Sequence, residues 1–181
     1  MRAAVSRRRR GSVNRRLRSA AAQAALRCAL RAGGLWASLT GMQVREPVIH
    51  EVITEVIRTA DAPQAIGPYS QAIAVRGGRT VYTSGQIPLD PKTMQIVGEG
   101  DIVAQTERVM ENLRGLLAAA GVGFEHVVRT GIFLADMQHF GQVNEIYGRA
   151  FTKDPPARST VQVAYLPRGV LVEIDMIAVG P

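Results

Sequence analysis

Apolar and polar positions along residues 52–181 predict a small mixed fold. Ile102, Val109, Leu113, Leu116 and Leu117 recur at helical spacing. They lie between Asp101, a residue type that caps helices, and Gly121, placed where a helix C-terminus favours glycine, so residues 101–120 read as the clearest helix. Phe140, Val143, Ile146, Tyr147 and Phe151 share one face of a second helix of roughly three turns. Short β-type runs at 72–75 and 80–86 flank Arg76-Gly77-Gly78-Arg79, a turn signal suited to a hairpin. Further β-rich runs at 127–134, 160–166 and 170–179 complete the order β-β-α-β-α-β-β. Residues 42–65 give conflicting signals. Val48, Ile49, Val52, Ile53, Val56 and Ile57 step by three and four as in a helix, yet they are β-branched, and the segment reads as a linker leading into a first strand. Two amphipathic helices suffice to cover one face of such a sheet. The chain has nothing left for the other face, and association with copies of itself is the economical way to cover it.

The last strand carries an unusual pattern. Alternation puts Val170, Val172, Ile174, Met176 and Ala178 on one face and Leu171, Glu173, Asp175, Ile177 and Val179 on the other. Two carboxylates thus share a face with large aliphatics. A buried carboxylate is costly unless it is paired or protonated, and a raised pKa makes a useful acid or base. From alternation alone, an edge strand with a solvated acidic middle fits as well. Arg158 follows Pro155-Pro156 and precedes a strand, so its guanidinium is a candidate for bidentate capture of a carboxylate, although a lone loop arginine is ordinarily a surface residue. Thr83-Ser84-Gly85-Gln86 ends a strand with a hydroxyl and a glycine whose backbone can approach a ligand. Tyr69 follows the turn at Gly67-Pro68, and Asn144 lies beside the apolar stripe of the second helix.

Charge separates the chain into two parts. Over its 181 residues it holds 22 basic and 15 acidic side chains, a formal charge of +7. Ten of the arginines lie in residues 1–41, and no acid precedes Glu46, so the remainder carries about −3 (12 basic residues against 15 acids). Residues 1–45 are arginine- and alanine-rich with four serines, the composition of a transit peptide, pointing to an organelle and to a mitochondrion before a plastid. A simple basic tail, a nucleic-acid-binding arm, and a start at Met42 that leaves the protein cytosolic are the alternatives. No stretch reaches the roughly 18–20 apolar residues of a membrane span. Cys28 lies in the tail and His50, His126 and His139 show no ligand-like spacing, which speaks against a metal enzyme.

Five segments resemble, in order and spacing, the RidA/YjgF family. They are Ala65-Ile66-Gly67-Pro68-Tyr69-Ser70-Gln71-Ala72, Thr83-Ser84-Gly85-Gln86-Ile87-Pro88, Val143-Asn144-Glu145-Ile146-Tyr147, Pro156-Ala157-Arg158-Ser159 and Val172-Glu173-Ile174-Asp175-Met176-Ile177-Ala178. The resemblance spans nearly all of residues 52–181. It implies an α+β, chorismate-mutase-like domain of the bacillus type, three copies of which close into a homotrimeric barrel with a cleft at each subunit interface. It implies hydrolytic deamination of reactive 2-enamine/2-imine acids, of the 2-aminoacrylate and 2-aminocrotonate type, to 2-keto acids and ammonia. No cofactor or metal is implied, and no nucleic-acid or membrane partner is expected.

Carried over by position, Arg158 holds the substrate carboxylate. Glu173 positions or activates the attacking water and assists proton transfer to the leaving amine. Tyr69, Ser84, Gly85 and Asn144 line the cleft, with Thr160 among the substrate-binding positions. Many members have cysteine where this chain has Thr160, so attack by water rather than by a thiol is expected. The loop Thr152-Lys153-Asp154-Pro155 is shorter than in some bacterial members. A non-catalytic trimeric binding or chaperone-like protein of the same fold is the alternative. RNA cleavage leans on the tail alone, and the acidic balance of residues 42–181 argues against it.

Overall fold

The computed structural model describes residues 5–7 and 51–181, which fall in one unit. The targeting reading of residues 1–45 and the internal start at Met42 lie outside the described residues, apart from the short strand β1 (Val5–Arg7). The chain continues through β2 (Ile53–Ile57), β3 (Ala72–Arg76), β4 (Arg79–Tyr82), α1 (Ile102–Ala119), β5 (Val127–Leu134), α2 (Phe140–Ala150), β6 (Ala157–Gln162) and β7 (Val172–Gly180). From β3 onward this is the expected β-β-α-β-α-β-β order of an α+β domain. The linker resolves as a strand, because β2 pairs antiparallel with β3 and its β-branched residues prevail over their helical spacing.

Local signals fix α1. The Asp101 carboxylate accepts hydrogen bonds from the amides of Val103 and Ala104, at 2.9 and 3.2 Å, satisfying two of the orphan donors at the helix start. At the other end Gly121 adopts φ +76°, and its amide bonds the Ala118 carbonyl at 2.9 Å. The buried face runs Ile102, Gln105, Thr106, Val109, Met110, Leu113 and Leu117. Leu116, expected inside, is 42% exposed, since the seam is taken by Leu113 and Leu117 on either side of it. Val143, Ile146 and Tyr147 of α2 complete the helical layer, which packs on Ile132, Leu134, Val172, Ile174, Met176 and Ala178 of the sheet. Each such fully buried aliphatic contributes about 1.5–3 kcal/mol.

The principal sheet has the order β4-β7-β5-β6, with β5 and β6 parallel and the other pairs antiparallel. β7 is therefore an interior strand, and its two carboxylates are not the solvated middle of an edge. The hairpin expected around Gly77-Gly78 does not form a ladder. β3 spends its hydrogen bonds on β2 and β4 spends its own on β7, while both glycines adopt positive φ and the turn passes against Gly180 and Val179. A Cβ at Gly78 would fall 2.7 Å from the Gly180 carbonyl oxygen, which is why no side chain fits there. β6 begins three residues before the expected run, so Arg158 lies within a strand rather than ahead of one.

β4 ends at Tyr82, but the chain keeps company with β7. The Thr83 amide bonds the Met176 carbonyl at 2.9 Å, and Gln86 bridges Ile174. Between those rungs Ser84 and Gly85 stand opposite the single residue Asp175, which makes the segment a β-bulge.

Candidate active site

The parallel register of β5 and β6 sets Arg158 beside Thr130, so its side chain emerges on the helix-covered face of the sheet. There α2 presents Phe140, Asn144 and Tyr147 at i, i+4 and i+7, one stripe of a helix. The Arg158 guanidinium donates through Nη1 to Oδ1 of Asn144 at 2.8 Å. Its Cζ lies 5.1, 5.6 and 5.7 Å from the ring centroids of Tyr147, Tyr69 and Phe140, within range of cation–π attraction. Tyr147 is held in turn by its hydroxyl, which donates to Thr130 Oγ1 at 3.1 Å.

Tyr69 arrives on the turn of residues 65–70, which is pinned to the segment preceding Arg158. The buried Ser70 donates its amide to the Pro156 carbonyl at 3.1 Å and its hydroxyl to the Pro155 carbonyl. The turn brings Gly67 over the guanidinium, and a Cβ there would lie 3.5 Å from Arg158 Nη2 and 3.7 Å from Asn144 Oδ1. Thr160, two residues along β6 on the same face, has a buried hydroxyl with no hydrogen-bond partner among the described residues.

Electrostatically this pocket suits an anion. A guanidinium carries five N–H donors, yet among the described residues only Asn144 accepts from Arg158, and no carboxylate pairs with it. Burial pulls its pKa below the ordinary arginine value, and the neighbouring Tyr147 and Tyr69 push the other way. Partial desolvation of a cation without a countercharge is costly, and a bound carboxylate would offset it through paired, charge-assisted hydrogen bonds.

Glu173 belongs to a different place. It pairs with Phe133 across β5 and β7, on the sheet face that the helices leave uncovered. Its carboxylate lies directly over Gly85 of the bulge, where an added Cβ would fall 1.8 Å from Oε1. The space that Gly85 leaves free is therefore filled by Glu173. Ser84 is exposed beside it. Asp175 repeats the arrangement over Gly131 of β5, 2.7 Å from where a Cβ would stand. The same face carries Tyr82, 75% exposed, and Val161, 44% exposed.

Of the residues singled out from the sequence, Arg158, Asn144, Tyr69 and Thr160 come together on one face. Glu173, Ser84 and Gly85 come together on the other. Within one copy the two groups are separated by the sheet itself. Phe140, Tyr147 and Gly67 were not singled out, although the i, i+4, i+7 spacing of Phe140 and Tyr147 about Asn144 was available to read.

Comparisons with known proteins agree with this fold. The family model described as endoribonuclease L-PSP matches residues 59–180. Protein DfrA of Myxococcus xanthus is 62% identical over 126 residues, covering 70% of this chain and 95% of that protein. The mouse 2-iminobutanoate/2-iminopropanoate deaminase is 52% identical over 131 residues, covering 72% of this chain and 95% of the enzyme. Among solved structures, RidA from an Antarctic Psychrobacter is similar at a TM-score of 0.54 and 42% identity, over 69% of this chain and 98% of that one.

Proposed function

This chain belongs to the endoribonuclease L-PSP family, the RidA/YjgF family, and from that membership we propose that it hydrolyses reactive 2-imino acids to 2-keto acids and ammonia. The observation that carries the reading is the half-buried Arg158 guanidinium, ringed by aromatics and lacking a carboxylate partner among the described residues. It suits the carboxylate of a small 2-imino acid. The mouse and human relatives named as 2-iminobutanoate/2-iminopropanoate deaminases, at 52% and 47% identity, support the same substrate class.

In the proposed reaction Arg158 fixes the carboxylate, which leaves C2, already electrophilic, facing the attacking water. Glu173 takes a proton as the water oxygen bonds to C2, and the proton then passes to the nitrogen. The C–N bond breaks as the carbonyl forms, giving one keto acid and one ammonia per water consumed. Gly85 borders the carboxylate end of Glu173, with Ser84 next to it in the chain, and Thr160 offers beside Arg158 a hydroxyl that has no partner among the described residues. Since Arg158 and Glu173 occupy opposite faces of one sheet, we place the complete site between copies, with Arg158 from one and Glu173 from the next in a homotrimer. The uncovered sheet face, with Tyr82 and Val161 on it, is the surface this assembly would bury.

A coupled assay that releases 2-iminobutanoate in situ and follows 2-ketobutanoate tests this. Wild type accelerates release, while Arg158→Ala and Glu173→Gln do not. Refolding the two inactive variants together at equal amounts restores about one quarter of wild-type activity, the fraction of interfaces that receive both intact residues by random assembly. A wild type without effect sinks the deaminase reading in favour of a binding or chaperone-like role. A mixture as inactive as its parts sinks the shared site.

A further inference from the structure

Phe140 is the most exposed of the three aromatics around Arg158. Its neighbours on α2 are buried, with Tyr147 at 0% and Val143 at 1% exposure, whereas Phe140 stays 38% exposed at the first turn. Tyr69, the third ring, has its hydroxyl engaged by the Ile66 amide at 3.3 Å. The Phe140 ring therefore reaches the guanidinium from the rim and keeps an apolar surface uncovered next to the charge. An exposed phenyl beside a desolvated cation stabilises neither the core nor the charge to the full. It makes sense as a wall for the part of a ligand that adjoins its carboxylate.

From this we propose that Phe140 determines specificity, contacting the C3 substituent of the bound imine and selecting 2-imino acids with apolar side chains of two or more carbons. The inference rests on the deaminase reading and names the substrate class of the same site. With the carboxylate held by Arg158, C2 and then C3 are the next atoms of the substrate, and the substituent on C3 has to leave the guanidinium along one of the flanking rings. The Tyr147 ring is fully buried behind the charge, and Gly67 and Tyr69 roof it. The Phe140 side presents the most apolar surface of the three rings. An aliphatic substituent would cover that surface, and the bare C3 hydrogens of a one-carbon side chain would leave it wet.

The test generates imines in situ with an amino-acid oxidase from alanine, 2-aminobutyrate and leucine, and measures kcat/KM for each. Wild type favours the leucine-derived imine over the alanine-derived one by about tenfold or more, the discrimination an apolar pocket yields for added methylenes. Phe140→Ala brings that ratio close to one, because the leucine-derived imine loses far more than the alanine-derived one. Phe140→Leu, which keeps an apolar side chain, retains most of the preference and guards against a variant that only misfolds. Equal losses on all three substrates, or no preference in wild type, overturn the proposal and leave Phe140 as a support for Arg158. If wild type accelerates none of the three, the deaminase reading itself has failed and this inference fails with it.

Discussion

Adding one methyl group at Gly85 should disable the acid–base residue while sparing the fold. The alanine Cβ would stand 1.8 Å from Oε1 of Glu173, 2.7 Å from Cδ and 3.0 Å from Cγ. To regain an ordinary contact of 3.4 Å the carboxylate has to retreat by about 1.6 Å. The displaced atoms are the free end of a rotatable side chain, with no hydrogen bond to give up among the described residues, and Gly85 is absent from the positions of positive φ. The cost to stability is then that of an off-rotamer glutamate, about 0.5–1.5 kcal/mol. Catalysis is less forgiving, because a misplacement of about 1 Å costs on the order of 100-fold in rate, equivalent to about 2.7 kcal/mol in the transition state. Gly85→Ala is therefore expected to lower kcat roughly 100-fold in the coupled deaminase assay. In a Glu173→Asp background, whose carboxylate is drawn back by one methylene from the added Cβ, the same change should cost less than about tenfold, and this non-additivity is the signature of the mechanism. Full activity in Gly85→Ala refutes the reasoning. So does an equal loss in both backgrounds, which would show that the glycine acts through its own backbone and not through Glu173.

Two further predictions concern the support around Arg158. Burial pushes the Tyr147 hydroxyl up to about 12 from an ordinary 10.0, so its contribution to stability is complete below pH 10 and is lost as pH rises toward 12. Wild type should lose about 2 kcal/mol relative to Tyr147→Phe between pH 9 and pH 11.5, read from denaturant unfolding at each pH, and a pH-independent difference would refute this. Thr160→Val removes a buried hydroxyl without a partner among the described residues, so it should raise the melting temperature, gaining about 1 kcal/mol, while raising KM for the imine. A destabilised variant would mean that the hydroxyl is satisfied in the native protein.

What could be read from the sequence was what is decided locally or by period. Asp101 and Gly121 bracket α1 because capping depends on residues within a turn of the helix end. The apolar face of β7 follows from alternation alone, and Val172, Ile174, Met176 and Ala178 are all fully buried. What could not be read depends on distant partners. The Gly77-Gly78 turn has the residues of a hairpin, but β4 is claimed by β7, about a hundred positions along the chain. Gln105 looks like a surface residue of α1, yet it is buried because it bonds the Gly98 carbonyl and the Leu171 amide. The motif holding Gly85 was legible as a motif. Its physical reason, room for a glutamate 88 residues later, was not.

The register that sets Arg158 and Glu173 back to back also governs how the proposed activity scales with protein. No side-chain rotation or loop movement within one copy carries either group through a hydrogen-bonded sheet. On the proposed mechanism an isolated chain can hold a carboxylate but cannot turn it over, and turnover begins only when copies meet. Specific activity then becomes a gauge of assembly. It falls on dilution below the association range and rises more steeply than linearly with concentration until association is complete.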